Sequence, residues 1–426
     1  MNLIILRLLQ LHFLLWPTIW GLAYIGFDLW VDNVNVYWFG YASSWITAIL
    51  LFLGAQTRDR SIHVEIQLAR WQWSALGLTV IAALIAPILS APAPWFSYLK
   101  MVMYLPCAGA GFAAAYWLPT LPRREWRRTV IALGLGTILF VLAVFPFLQG
   151  YFETHDTWWG EAIVPFFNIR RFTHVGIIPI AAATGLWLWL RAQPGERTIN
   201  PLSLTILLGL SFGWAIIFWA GSRAPIAAFG ATAIVFLWRL PSYRKAILKV
   251  WLIPSTLGAI ISSQMGFLGW ERSIFRRFRD MANAEDLNSL SSSRLDVWTT
   301  AWSDFLEAPV FGYGYGQFSL VNDLGLETPH NFFLEMLHGF GIVGGLPMIV
   351  LIFGSAFLLF RKLCTTKGDP MALAGGFVVC TMTIQSLVDG VLSGFYLAAL
   401  FGFFWAMAWA ALTYPSFAVG ELDRDN

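Results

Sequence analysis

Long apolar runs broken by short polar segments fill most of this chain. Taking runs of about 17 to 25 residues as membrane spans, the pattern predicts helices over 3–26, 38–55, 74–90, 98–118, 129–149 and 175–190. Six more follow over 202–220, 225–238, 246–263, 341–360, 371–388 and 392–413, the eighth run of the series being short. The rhythm changes once, in a polar stretch over 265–330. The expected architecture is therefore an all-α, polytopic membrane bundle of about twelve spanning helices. Nine lie within 1–264, a large loop with amphipathic helices occupies 265–330, three spans lie within 331–413, and a tail covers 414–426.

The basic residues orient this bundle. With the N-terminus inside, the inner loops carry Arg58, Arg60 and Arg70; Arg123, Arg124, Arg127 and Arg128; Arg191 and Arg197; Arg239, Arg244, Lys245 and Lys249; and Arg361, Lys362 and Lys367. Cytoplasmic loops are the basic ones, so both termini are expected in the cytoplasm. The composition agrees with this class: 58% of the residues are hydrophobic and only 12% charged, far from the make-up of a soluble domain. The formal net charge of +3 says little about partners, and nothing points to nucleic acid. Cys107, Cys364 and Cys380 have no paired spacing and read as free thiols. The first apolar run exceeds a signal-peptide core and lacks a small-residue cleavage site, so a retained helix is expected.

The exceptions to the charge rule are informative. Arginine appears on the outer side at Arg170-Arg171, at Arg223, and in the long loop at Arg272, Arg276, Arg277, Arg279 and Arg294. A guanidinium binds phosphate oxygens bidentately and stays charged when partly desolvated, so these positions suggest an anionic ligand. The bland reading is headgroup anchoring or loop ion pairs, and it suits Arg272, Arg276, Arg277 and Arg279, which form one basic amphipathic face over two helical turns. Arg223 stands in the tight turn Gly221-Ser222-Arg223-Ala224-Pro225 at the mouth of two helices. An ionisable residue held there is a functional candidate, against the alternative of an arginine that snorkels at a span end. Arg294 follows Ser291-Ser292-Ser293, which can cap a helix, and Leu295, Trp298, Trp302 and Phe305 then recur at helical spacing. Gly312-Tyr313-Gly314-Tyr315-Gly316 reads first as a turn and only weakly as a phosphate loop. His330-Asn331 opens a helical run that reaches Gly341-Ile342-Val343-Gly344-Gly345. His330 can accept a proton near neutral pH; His338 is a rival base that reads more readily as packed in the bundle.

Metal chemistry in sugar transfer needs converging carboxylates. The one Asp-x-Asp, at Asp423 and Asp425, falls in the inner tail, and Asp28 and Asp32 read as loop solvation. No metal and no cofactor are expected.

Ser222-Arg223-Ala224 after a span, Arg294 with Trp298 and the 309–318 glycine-aromatic turn, and His330-Asn331 ahead of Gly341-x-x-Gly344 together resemble the O-antigen ligase and polymerase superfamily of membrane glycosyltransferases. The resemblance covers 221–360. One departure is Gly345-Leu346-Pro347, where the ligase form continues Thr-x-Leu. The resemblance implies a GT-C-like bundle in the bacterial inner membrane with its site on the periplasmic face. It implies inverting, metal-independent transfer of a glycan from undecaprenyl diphosphate to a lipid A core hydroxyl, or to another lipid-linked glycan in a polymerase. Arg223 and Arg294, with Arg170 or Arg171, would clamp the diphosphate, and His330 would be the general base. A protein-glycosylating relative and a transporter of an anionic solute are the remaining readings; the transporter is disfavoured because no internal repeat is seen and the charges cluster at the outer surface.

Overall fold

The computed structural model describes residues 2–27, 36–57, 68–154, 169–192, 201–264, 293–324, 326, 328–365 and 369–414, with isolated positions between 274 and 291. The described residues are 87% helical and contain no strand. The helices are α1 (Asn2–Phe27), α2 (Val36–Gln56), α3 (Arg70–Ser90), α4 (Pro94–Trp117), α5 (Arg123–Thr154), α6 (Ile169–Ala192), α7 (Pro201–Trp219), α8 (Arg223–Arg239) and α9 (Arg244–Gln264). After the polar stretch come α10 (Arg294–Glu307), α11 (Phe318–Val321), α12 (Phe332–Phe340), α13 (Leu346–Thr365), α14 (Pro370–Gln385) and α15 (Phe395–Thr413). Each predicted apolar run falls on helix. By length and composition five described helices suffice to cross a membrane: Arg70–Ser90, Pro94–Thr120, Pro241–Gln264, Phe332–Thr365 and Tyr396–Thr413. Shorter apolar helical stretches accompany them, including Gly176–Leu188, Ser203–Trp219 and Met371–Gln385.

The bundle is built around α6, α14 and α15, whose side chains are buried almost all round. Small residues make this possible, because between apolar helices packing rather than water exclusion drives association. A Cβ on Gly185 of α6 would lie 2.2 Å from the Cα of Ala374 on α14, and Gly111 of α4 meets Gly402 of α15 backbone to backbone. The outer helices show the opposite face: Leu78, Ile81, Leu84 and Ile88 of α3 and Leu252, Ile253 and Ile260 of α9 are all exposed. Apolar surface on this scale suits a lipid solvent and would be a liability in water.

The sequence predicts a span beginning at Gly341. In the structure the apolar helix begins at Phe332 and is interrupted by a π-helical segment, Gly341–Gly345, between α12 and α13. The glycine-aromatic turn supports this interruption. Tyr313 and Gly314 donate backbone N–H groups to the carbonyls of His338 and Gly339, both at 2.9 Å. In return, Ile342 and Val343 donate to the carbonyls of Pro309 and Val310, at 2.8 and 3.1 Å. The turn thus supplies backbone partners that an irregular helix lacks, which is a bracing role and not a phosphate cradle. Gly341 has φ +59°, and a Cβ there would lie 2.3 Å from the Val310 carbonyl oxygen. Gly341→Ala is expected to cost about 1–3 kcal/mol and to lower the thermal midpoint in detergent. Gly77→Ala, with nothing within 4 Å of the added carbon, should leave the midpoint unchanged or raise it; equal losses from the two would refute the bracing role.

Candidate functional site

The site gathers around the turn that joins α14 to α15. Two segments distant in sequence, 331–332 and Arg294, bind its carbonyls through three donors. The N–H of Phe332 donates to Ser386 O at 3.0 Å, Asn331 Nδ2 donates to Leu387 O at 3.0 Å, and Arg294 Nη1 donates to Val388 O. Asp389 follows, buried at 2% exposure, with Oδ1 accepting the Gly390 N–H at 2.9 Å. Two of the predicted residues therefore meet at one electrostatic centre. Burial lowers the Arg294 guanidinium from its ordinary value, while Asp389 pushes it back up and Arg223 pushes it further down. Arg223 is the first residue of α8, set by the turn after α7 in which Gly221 takes φ +63°. Two cations and one buried carboxylate thus share a field at the mouth of the bundle.

His330 stands on the same scaffold. Its neighbour Asn331 caps α12, Oδ1 accepting the Leu334 N–H at 3.2 Å, while its Nδ2 reaches the turn. His330 Nδ1 lies 3.4 Å from Thr328 Oγ1, which also accepts the His330 backbone N–H at 3.4 Å. Trp298, one helical turn beyond Arg294, donates Nε1–H to Pro329 O at 3.1 Å. Among the described residues only Ser293 (φ 60°) and His330 (φ 52°) carry a left-handed backbone without being glycine. Such positions cost energy and concentrate where geometry serves function; here one precedes Arg294 and the other is the candidate base. Ser293 does not cap α10 with its side chain. The expected serine cap is instead supplied by Ser291, whose Oγ accepts the Leu295 N–H at 3.4 Å.

The outer helix α10 is tied down at its far end. Ala301, Asp304 and Phe305 are buried, whereas Leu295, Trp302 and Leu306 are exposed, so the expected apolar stripe is split between the bundle and the surface. Asp304 Oδ2 lies 3.6 Å from Nε2 of the buried His338 and accepts from Asn322 Nδ2 at 3.4 Å. Burial raises the Asp304 carboxyl above its ordinary range; Asn322 lowers it and Glu307 raises it. The His338 ring is stacked by Tyr313 at 5.2 Å and met edge-on by Phe318 at 5.3 Å. His338 is accordingly a packed residue whose Nε2 lies near Asp304 without a hydrogen-bond partner among the described residues. Tyr313 donates to Glu307 Oε2 at 2.9 Å, and burial and that bond push its phenol up to about 12.

A second buried polar group fixes the lower side of the turn. Ser393 Oγ donates to Glu335 Oε2, Tyr104 donates to the Ser393 carbonyl, and the Tyr315 hydroxyl donates to Tyr104 Oη at 2.7 Å. Burial, then the charge of Glu335, raises the Tyr315 phenol well above its ordinary value. Beside this group opens an apolar cavity of about 350 Å³, lined among others by Phe332, Met336, Leu392 and Trp405.

Arg170 and Arg171 lie in the first turn of α6, and their side chains fall outside the described residues, as do Arg272, Arg276, Arg277, Asp28, Asp32, Asp423 and Asp425. Sequence reasoning missed Asp389, Thr328 and the Val388 carbonyl. A signal for the first was available, since Gln385-Ser386-Leu387-Val388-Asp389 is a polar end on an otherwise uncharged span.

The fold is that of a helical integral membrane protein in which Arg294, Arg223 and Asp389 share a field beside the segment that carries His330. Residues 206–349 match the family model described as O-antigen ligase. The matched segment carries Arg223, Arg294 and His330, as the motif order implied, and the match supports a place in the ligase and polymerase superfamily. Comparison with curated proteins found no match.

Proposed function

We propose that the protein is a membrane glycosyltransferase of the O-antigen ligase type. It moves a glycan from undecaprenyl diphosphate to a hydroxyl of the lipid A core at the periplasmic face of the bacterial inner membrane, with both termini in the cytoplasm. The observation that carries this reading is the common scaffold: the turn after α14 is bound by Arg294 on one side and by Asn331, the neighbour of His330, on the other. In the reaction the acceptor oxygen attacks the anomeric carbon and forms the new glycosidic bond. The bond from that carbon to the phosphate oxygen breaks, and its electron pair leaves with undecaprenyl diphosphate. Arg223 and Arg294, joined by Arg170 or Arg171, hold the leaving diphosphate and stabilise the charge it gains. In the tautomer that donates Nδ1–H to Thr328 Oγ1, the basic lone pair of His330 lies on Nε2, which takes the acceptor proton. The displacement is direct and inverts the anomeric centre, and no metal takes part. The apolar cavity beside the turn agrees with a substrate that has a lipid portion.

The departure at Gly345-Leu346-Pro347 favours a second reading, a repeat-unit polymerase with the same donor and another lipid-linked glycan as acceptor. Purified protein in nanodiscs, given donor with and without lipid A core, separates the two. A single glycan block on the core, formed equally with EDTA, is the expected result. A ladder of lipid-linked chains without core would establish the polymerase, and no product from folded, donor-binding protein would overturn both.

A further inference from the structure

The face of α14 that looks toward α8 carries a line of polar side chains. Thr381 and Gln385 stand four residues apart on one face of α14, Asp389 follows in the turn with its N–H donating to Gln385 O at 2.9 Å, and the three exposures are 1, 0 and 2%. Thr381 Oγ1 donates to Thr232 Oγ1 of α8 at 3.2 Å, which fixes the direction of that face. Arg223 begins α8 at its site end, and its charge is felt by Arg294 together with that of Asp389. Gln385, the last residue of α14, therefore lies between the threonine contact below and the turn that carries Asp389 above.

Its neighbours on α14 satisfy themselves. Thr383 Oγ1 donates to Val379 O at 2.7 Å and Ser386 Oγ to Met382 O at 2.7 Å. Gln385 does not: neither Nε2 nor Oε1 has a hydrogen-bond partner among the described residues. A fully buried primary amide without partners is costly. Leucine or methionine would fill the same space without that cost, and polar residues kept inside membrane bundles mark functional pathways.

We propose that Gln385 is a substrate contact that forms the membrane-side floor of the diphosphate site. The proposal rests on the reading of the arginine site given above. Nε2 donates to a phosphate oxygen from below while Arg223 and Arg294 hold the group from above, and Oε1 accepts from a guanidinium N–H drawn inward with the anion.

The test uses the full-length protein in nanodiscs and measures binding of undecaprenyl diphosphate and of undecaprenol, together with the thermal midpoint, for wild type, Gln385→Leu and Gln385→Glu. Gln385→Leu is expected to keep or raise the midpoint while weakening undecaprenyl diphosphate at least tenfold and leaving undecaprenol within twofold. Gln385→Glu, which places an anion beside the diphosphate, should lower the same preference by more, and it keeps the test decisive should the leucine variant fold poorly. Wild-type affinity for the diphosphate in either folded variant would overturn the proposal while the arginine site stands. If wild type itself showed no preference for the diphosphate over the alcohol, the reading of the arginine site would fall, and this proposal with it.

Discussion

His330→Ala is expected to reduce glycan transfer by about 10²–10⁴-fold, the usual contribution of a positioned general base, while the protein stays folded and still binds donor. The separation follows from where the histidine stands. Asn331, not His330, supplies the helix cap and the bond to Leu387 O, and Trp298 holds the preceding Pro329 carbonyl. The imidazole can be removed with these ties intact. Alanine at a backbone φ of 52° loses the ring but gains no freedom that glycine would have. His330→Gly is therefore a second variant, equally inactive but relieved of the left-handed strain. Transfer measured under saturating donor, with thermal midpoint and donor affinity alongside, checks the prediction. A large loss of donor affinity in both variants would make His330 a binding residue and not a base.

Arg294→Ala should be comparably severe for a different reason. The guanidinium is half-buried against the turn, donates to Val388 O and shares a field with Asp389 and Arg223. Its removal takes away a charge positioned for the leaving group, worth about 10²–10³-fold in rate for one such donor, and it also weakens the donor complex. Arg294→Lys is expected to recover little, because an ammonium lacks the planar fork that bonds a carbonyl and an anion together. The same change leaves Asp389, at 2% exposure, with one neighbouring cation fewer, so Arg294→Ala should lose stability that Arg294→Ala/Asp389→Asn partly regains. A double-mutant cycle on thermal stability reads this coupling. Strict additivity would show that the two residues do not interact.

The helices were legible because an apolar run long enough for a bilayer has little choice but helix, and Arg223 stood out as a charge in the short polar break between two such runs. Asp389 was not. At the end of an apolar run an acidic residue reads as the return to water, and its partner Arg294 precedes the shared turn by 94 residues; only tertiary packing brings them together. The glycine-aromatic turn shows the same limit in another form. Its spacing announced close backbone approach, but what it approaches, the carbonyls of His338 and Gly339, is set by the π-helical break, which no residue pattern announced. His338 was legible as a packed residue, whereas its pairing with Asp304 required α10 to turn a carboxylate toward the bundle and leave Trp302 outside.

In the proposed reaction one end of the bundle holds a lipid-linked diphosphate with its arginines and activates an acceptor hydroxyl with its histidine. The most direct measurement is a single-turnover reaction with preloaded glycan-linked donor and lipid A core, following donor binding and transfer separately in wild type, His330→Ala and Arg294→Ala. The account predicts that His330→Ala holds donor with wild-type affinity and transfers almost nothing, whereas Arg294→Ala is impaired in both steps. Transfer at the wild-type rate by either folded variant would contradict it.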